Sequence, residues 1–243
     1  MDVKRLAKTY SPTRVLGALR RRRADWLRKL QYRPQSVTKL RDAVLFESFQ
    51  GKVIGDNPLD IFLELQRTHP ELEFIWTTGP NTQAPAGARG VHHGSREWLN
   101  AIASSKYLVN NTNFPWYFRK VKGQVYLQTW HGTPLKRLVR DIEAGKVSAQ
   151  YLSTMRKEAA AWDYLISPSA YASKCFESAF GFPIKGGQGK VLEVGYPRND
   201  RLNASAEERA AIRNRVRKQL GVKSAQTQLV LYAPTWRDTN RNA

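Results

Sequence analysis

Two patterns of hydrophobic and polar positions alternate along most of the 243-residue chain. Short runs that are apolar on both faces are typical of covered strands, and stretches with apolar residues every three or four positions are typical of helices. The runs predict strands at Ala43–Ser48, Leu72–Thr77, Tyr107–Asn110, Val125–Thr129, Tyr164–Ser167, Val191–Gly195 and Leu229–Ala233. The stretches predict helices at Pro58–Arg67, Arg96–Ser105, Pro134–Asp141, Ala149–Ala161, Ala170–Phe180 and Ala206–Leu220.

This alternation of strands and helices predicts an α/β fold with a doubly wound parallel sheet. The last predicted strand runs into Ala-Pro-Thr-Trp-Arg-Asp at residues 233–238, close to the end of the sequence. A parallel strand needs neighbouring strands and covering helices, so we expect it to open a second domain. The expected divisions are 42–203, a nearly complete N-terminal Rossmann-like domain on the acceptor side, and 204–243, a linker helix and the first strand of a truncated nucleotide-binding domain.

The first 41 residues carry about half of the chain's net charge of +20, and they include four consecutive arginines at 20–23. Ser11-Pro12 is a helix start, and one face of the predicted helix collects Val15, Leu16, Leu19, Trp26, Leu27 and Leu30. Such a basic amphipathic helix suits the surface of an anionic membrane, and it equally suits a polyphosphate or nucleic-acid backbone. A third interpretation is a solvated extension that packs on its own domain.

Composition excludes several classes of protein. The single Cys175 rules out a disulfide framework and a cysteine-based zinc site, and there is no run of about 20 apolar residues or apolar signal-peptide core. No nucleophile elbow, zinc-protease motif, P-loop or dinucleotide fingerprint is present, so no cofactor is evident. His92-His93 is predicted to lie in a glycine-rich loop, and dependence on a divalent metal is left open.

Polar residues follow nearly every predicted strand. Ser48, Asp56 and Asn57 come after the first strand, and Asn110 and Asn111 end the third. In an open parallel sheet all of these positions meet at the carboxyl edge, where ligands bind. Each group alone can be explained as a helix cap or turn, but their common edge favours a binding site.

The most informative segment is Gln-Thr-Trp-His-Gly-Thr-Pro-Leu-Lys at 128–136. Trp130 and His131 lie on the turn after a strand, and Thr133-Pro134 predicts a helix start whose free N–H groups can bind an anion. His131 is therefore a candidate for acid/base or phosphate chemistry. The alternative is a core-filling Trp130 beside a solvent-facing His131.

Two later turns carry arginines suited to phosphate, Arg198 at 197–199 and Arg237 at 236–237. Guanidinium groups bind phosphoryl oxygens with two parallel hydrogen bonds. Together with these arginines, His131 could accept a proton from an attacking hydroxyl while the positive charges stabilise a transferring phosphoryl group.

Read in order, these segments resemble the CDP-glycerol glycerophosphotransferase family, which contains the teichoic-acid primases and polymerases. The matching segments are 47–58, 128–136, 167–169, 195–200 and 233–238. Trp-His-Gly-Thr-Pro at 130–134 and Gly-Tyr-Pro-Arg-Asn-Asp at 195–200 are the most specific. The resemblance implies a glycosyltransferase-B-like fold and a peripheral enzyme on the cytoplasmic face of the cell membrane.

The implied reaction is transfer of glycerol phosphate, or a similar polyol phosphate, from a CDP-activated donor to a hydroxyl of a lipid-linked polyol or sugar acceptor, with release of CMP. Residue by residue, the resemblance implies that His131 is catalytic. It implies donor or phosphate contacts at Arg198, Asn199, Thr235 and Arg237. It implies an acceptor-side cleft at Ser48, Asp56, Asn57, Trp130, Gly132 and Thr133.

The remaining cytidine-binding segments of the family lie downstream of this sequence, so we expect the chain to be an incomplete catalyst. The donor stays open between glycerol, ribitol and a sugar. An alternative from another class is a non-catalytic basic module that binds membrane or nucleic acid. Nucleic-acid binding is supported by charge alone, because most aromatic residues fall in apolar strands or motif turns rather than among cations.

Overall fold

Parallel strands form one sheet in the computed structural model, which describes residues 12–183 and 189–233. Within these ranges the strand order is β3-β2-β1-β4-β5-β6-β7, and every pairing is parallel. The strands are β1 Arg41–Glu47, β2 Glu73–Thr78, β3 Arg89–His92, β4 Ser105–Asn110, β5 Val125–Gln128, β6 Tyr164–Ser167 and β7 Lys190–Glu193. The predicted doubly wound α/β sheet is confirmed.

Six α-helices accompany the sheet within the described ranges. They are α1 Pro12–Gln31, α2 Asp56–Thr68, α3 Arg96–Ser104, α4 Ala149–Ala161, α5 Ala170–Phe180 and α6 Ala206–Gln219. Four of them begin at a serine whose hydroxyl accepts a backbone N–H of the first turn, Ser95, Ser148, Ser169 and Ser205. No helix in the described ranges is long and apolar enough to cross a membrane.

The core lies on both faces of the sheet. On one face α2 packs Phe62 against Phe46, Phe74 and Trp76, with the Phe46 and Trp76 rings stacked 5.4 Å apart. The larger cluster on the other face includes buried residues of α3, α4 and α5. Packing on both faces fixes where the strands end and therefore where the residues of the carboxyl edge lie. The strand order reverses between β1 and β4, which places the switch point, the usual ligand crevice, between their carboxyl ends.

The predicted helix Pro134–Asp141 is wrong, since only Val139–Asp141 forms a short 3-10 turn. Proline at a first position is compatible with a helix, but such local signals are weak and tertiary packing can override them. The buried Pro134 and Val139 are five positions apart, whereas Leu135 is 82% exposed, so the residues that are buried here do not follow a helical spacing. His131 consequently does not lie beside a helix start.

Two other expectations are also corrected. Residues 229–233, predicted as a strand, are exposed and form no strand in the described part of the chain, because a strand needs a paired neighbour. The loop predicted around His92-His93 instead contains edge strand β3, which ends at His92. Its backbone pairs with β2 although Val91 is its only buried residue, so hydrophobic pattern could not reveal it.

The chain divides into two compact units between Asn199 and Asp200. The first contains α1 to α5 and the whole sheet, and the second contains α6, which begins with a reciprocal capping box between Ser205 and Glu208. The domain limits expected from the sequence, at 41/42 and 203/204, stay predictions.

Candidate active site

The site lies at the carboxyl edge around the switch point. Ser48 follows β1, Asn110 ends β4 and Asn111 follows it, and all three are fully buried. The turn after β5 adds Trp130 and His131, and the turn after β7 adds Arg198. The parallel register brings residues far apart in sequence into contact at this edge.

His131 is held in one orientation by three neighbours. Its ring stacks on that of Trp130, with centroids 4.4 Å apart and planes at 25°, and the Phe49 ring lies 5.5 Å away. Its Nδ1 lies 2.6 Å from the backbone oxygen of Asn111. A carbonyl oxygen can only accept, so Nδ1 carries the proton, and Nε2 of the neutral ring is left as a proton acceptor. This is the tautomer that a general base needs.

Trp130 anchors the His131 turn in the core. Its side chain is 9% exposed and packs edge-on against Phe176 and Phe180 of α5. Its backbone N–H donates to Gln128 Oε1 at 2.9 Å. The sequence left two alternatives, a core-filling Trp130 or a functional turn, and the structure combines a buried Trp130 with an exposed, oriented His131.

Asp56 and Arg198 form an ion pair at the same edge, with side chains 10% and 28% exposed. The guanidinium carbon of Arg198 also lies 4.4 Å from the centroid of the Tyr196 ring, and Tyr196 donates its hydroxyl proton to the Gly132 carbonyl at 2.8 Å. Partial burial between a carboxylate and an aromatic face fixes the guanidinium. The turn after β7 is thereby joined to the His131 turn.

Asn57 joins the same turns through its side chain. Its Nδ2 donates to the Thr129 carbonyl at 3.3 Å, and its Oδ1 accepts the Arg198 backbone N–H at 3.3 Å. This buried amide therefore bridges the segments after β5 and β7.

Backbone strain is concentrated here. Five non-glycine residues of the described chain have positive φ, and four of them lie at the site, Phe49 (47°), Gln50 (59°), Asp56 (61°) and Trp130 (51°). Gly51 follows with φ 78°, and a Cβ there would lie 2.7 Å from the Thr78 carbonyl carbon. Such left-handed backbone is costly for most residues and is found where surrounding contacts over-determine a functional arrangement.

The structure brings together most of the sequence-predicted residues. Ser48, Asp56, Asn57, Trp130, His131 and Arg198 join one network of contacts. Gly132 enters it through its carbonyl, and Thr133 is exposed beside it. Asn199 is exposed, with its N–H bonded to the Tyr196 carbonyl at 2.8 Å. The remaining two, Thr235 and Arg237, lie outside the described residues.

Two residues of this edge were given no role from the sequence, Asn111, which was expected only to lie at the edge, and Glu47. Glu47 is fully buried at the end of β1, where it accepts the Trp98 Nε1 proton at 2.8 Å and faces Asn110 Nδ2 at 3.4 Å. Burial raises the pKa of Glu47 to about 7, and the hydrogen bond from Trp98 opposes this rise. For Glu47, the only signal in the sequence was the position of a glutamate at the end of an apolar strand.

No group of three or more metal-ligating side chains is found among residues 12–183 and 189–233. The chemistry that the described side chains themselves offer is a proton acceptor at His131 and a positive charge at Arg198.

Comparisons with known proteins agree with this arrangement. The model of the CDP-glycerol:poly(glycerophosphate) glycerophosphotransferase family matches residues 30–243. The chain belongs to this family. The resemblance drawn from the sequence motifs is confirmed.

Individual relatives in this glycerophosphotransferase family are similar over most of the chain. The teichoic acid poly(glycerol phosphate) polymerase of Bacillus subtilis (strain 168) is 39% identical over 206 residues, 82% of this chain and 26% of that protein. The teichoic acid glycerol-phosphate transferase of Staphylococcus aureus (strain NCTC 8325 / PS 47) is 33% identical over 205 residues, 82% of this chain and 51% of that protein. The chain thus spans about a quarter to a half of the length of these two relatives.

The glycerophosphotransferase fold is matched by a solved structure as well. A histidine-to-asparagine variant of the wall teichoic acid polymerase TagF, soaked with CDPG, superposes with a TM-score of 0.79 at 32% identity. The match covers 99% of this chain and 58% of that one. It confirms the α/β, glycosyltransferase-B-like fold class.

Proposed function

We propose that the chain takes part in transferring glycerol phosphate from CDP-glycerol to a hydroxyl of a lipid-linked acceptor in teichoic-acid synthesis. The observation that carries the proposal is the connected arrangement at the switch point, where His131 and Arg198 are joined through Asn111 and Asp56. Family membership supplies the reaction class, and the arrangement supplies groups that suit each part of it.

The acceptor hydroxyl attacks the phosphorus that carries glycerol. A new P–O bond forms to the acceptor, the P–O bond to the bridging oxygen breaks, and CMP leaves with that electron pair. His131 Nε2 takes the hydroxyl proton, which is the role for which its Nδ1 contact prepares it. Arg198 offsets the negative charge of the diphosphate, with Asn199, Thr235 and Arg237 as further proposed donor contacts. Ser48, Asp56, Asn57, Trp130, Gly132 and Thr133 form the proposed acceptor side.

Binding to an anionic membrane surface is the second part of the proposal. Helix α1 is 20 residues long and leaves a row of large apolar side chains about half exposed, namely Leu16, Leu19, Trp26, Leu27 and Leu30. Trp116 is 46% exposed and has the Lys29 ammonium 5.0 Å from its ring centroid. Aromatic and leucine side chains flanked by cations suit the interface between lipid headgroups and acyl chains. The proposed location is therefore peripheral, at the cytoplasmic face of the membrane.

The ratio of CMP released to glycerol phosphate added to the acceptor tests this function. The protein that contains this chain is incubated with CDP-glycerol and a lipid-linked acceptor, and CMP and acceptor-bound glycerol phosphate are measured together. We expect one glycerol phosphate added for each CMP released, with less product from CDP-ribitol. CMP release without acceptor extension would indicate hydrolysis and contradict the proposal, as would an absence of CMP.

A further inference from the structure

Asn111 contacts His131 directly and also contacts Asp56, the ion-pair partner of Arg198. It is fully buried directly after β4. Its backbone oxygen accepts the His131 Nδ1 proton at 2.6 Å, and its Oδ1 accepts the Phe49 N–H at 2.9 Å. Its Nδ2 donates to Asp56 Oδ2 at 2.6 Å and to Ser48 Oγ at 3.2 Å. Both polar atoms of the side chain are therefore committed to the segment that follows β1.

These contacts fix the backbone of residue 111 as well as its side chain. A buried amide that loses its hydrogen-bond partners is left unsatisfied away from water, so other positions of the Asn111 side chain are disfavoured. The carbonyl that holds His131 belongs to the same residue and is fixed with it. Phe49, whose ring lies beside His131, is held by the other side of the same amide. The orientation and tautomer of His131 thus depend on the Asn111 side chain.

Asp56 extends the connection to Arg198. One of its oxygens accepts from Asn111, and the other is paired with the Arg198 guanidinium. The series His131, Asn111, Asp56 and Arg198 therefore joins the segments after β5, β4, β1 and β7. The Phe49 N–H needs an acceptor and the Asp56 carboxylate needs a donor. An amide side chain at position 111 supplies both.

We propose that Asn111 is a positioning residue that holds His131 in its Nδ1–H tautomer and ties it to the Asp56–Arg198 pair. The reaction that it serves rests on the proposed function, whereas the positioning itself rests on these contacts. Its test is a reciprocal exchange of side chains. Asn111→Asp alone sets two carboxylates face to face, and adding Asp56→Asn restores one donor and one acceptor across the contact.

Nitrogen NMR of the ¹⁵N-histidine-labelled chain gives the first readout, because there are only four histidines to assign. We expect a pure Nδ1–H tautomer for His131 in the unchanged chain, a mixture with Nε2–H in Asn111→Asp, and a return in the double variant. Asn113→Asp is the matched control, since Asn113 lies two residues on and bonds only the Phe114 carbonyl among the contacts described. This control should leave His131 unchanged.

The second readout is kcat, measured at saturating donor in the protein that contains the chain. At saturation, a change in donor affinity caused through Arg198 does not affect the measured rate. Misplacing a reacting group can cost about a hundredfold. We expect a loss of this size in Asn111→Asp and recovery of at least about tenfold in the double variant. Should Asn111→Asp fail to fold, Asp56→Ala removes the acceptor without adding charge and must move the His131 tautomer in the same direction.

Two results would overturn the inference. One is a folded Asn111→Asp chain with unchanged His131 tautomer, and the other is a double variant that restores neither readout. If the tautomer changes and returns as expected but the unchanged protein transfers no glycerol phosphate, the positioning role stands and the proposed function fails.

Discussion

At the level of single residues, the Arg198 side chain is fixed by its neighbours and still partly exposed to solvent. Asp56 pairs with part of its guanidinium, and the Tyr196 ring covers one side of it. An arginine has five N–H donors, so a phosphate oxygen can bind beside the Asp56 carboxylate. The side chain is 28% exposed, which is compatible with a ligand contact. The ion pair therefore orients the guanidinium that we propose as a phosphate contact, and it also connects two segments.

The buried carboxyl of Glu47 makes stability depend on pH. Its pKa in the folded chain, about 7, lies above the ordinary 4.5. The stabilisation that this group contributes is complete below pH 4.5 and is lost as pH rises through 7. Glu47→Gln keeps the shape but cannot ionise. From pH 5 to pH 8 we expect the free energy of unfolding of the unchanged chain to fall relative to the variant by up to about 3 kcal/mol.

Denaturant unfolding of both chains at pH 5 and pH 8 measures this difference. Glu158, whose pKa burial also raises to about 7, is present in both chains and largely cancels. A difference between the two chains that stays constant across this range would show that Glu47 does not titrate there.

Residues of the candidate site could be named from the sequence where they lie in a short motif. His131 and Arg198 lie in short motifs with chemically distinctive neighbours. Asn111 and Glu47 act through partners far along the chain, with 55 positions between Asn111 and Asp56 and 51 between Glu47 and Trp98. Only the parallel register of the strands brings them together, and a single sequence does not specify these contacts.

At the scale of elements, α1 is the clearest case of a helix with an exposed apolar face and a fixed attachment. Arg28 attaches it to the turn before α3, with Nε donating to the Gly94 carbonyl at 3.2 Å. The residue after α1, Tyr32, is buried and donates to the Arg119 carbonyl at 2.8 Å. Deleting residues 1–41 would remove Tyr32 from the core, so point substitutions test the helix more cleanly.

Replacing Arg22 and Arg23 of α1 by Gln should weaken binding to anionic vesicles. Each cation near such a surface contributes about 1 kcal/mol, so losing two should lower the partition coefficient about 30-fold. Raising salt should weaken binding of the unchanged chain. Replacing the exposed Arg213 and Arg215 of α6 by Gln removes the same charge and should have a smaller effect. Equal losses in the two variants, measured by vesicle co-sedimentation, would show that net charge alone attracts the chain.

Helices were predicted correctly where the apolar spacing and a capping residue indicate the same limits. α4 and α5 match their predicted limits, and each begins after a capping serine. The Pro134–Asp141 prediction relied on local signals, but the structure leaves Leu135 exposed and has only a short 3-10 turn there. Edge strand β3 pairs with β2 through backbone hydrogen bonds, and with one buried side chain it shows no hydrophobic strand pattern.

At the scale of the molecule, the strand order explains why the candidate site lies where it does. The reversal between β1 and β4 places the switch point at their carboxyl ends, and the polar strand ends predicted from the sequence meet there. The alternation of strands and helices was sufficient to predict this edge. The family match assigns the chain to the glycerophosphotransferase family, and the structural match agrees with the same fold.

The proposed transfer of glycerol phosphate assigns the role of proton acceptor to His131 and a donor-phosphate contact to Arg198. Steady-state CMP release by His131→Ala and Arg198→Ala, with donor concentration varied, tests it most directly. His131→Ala should lower kcat by about 10²–10⁴ with little change in donor affinity. Arg198→Ala should weaken donor binding and the chemical step together, because the phosphate charge exists in the ground and transition states alike. Near-normal turnover by a folded His131→Ala protein would show that His131 is not the proton acceptor.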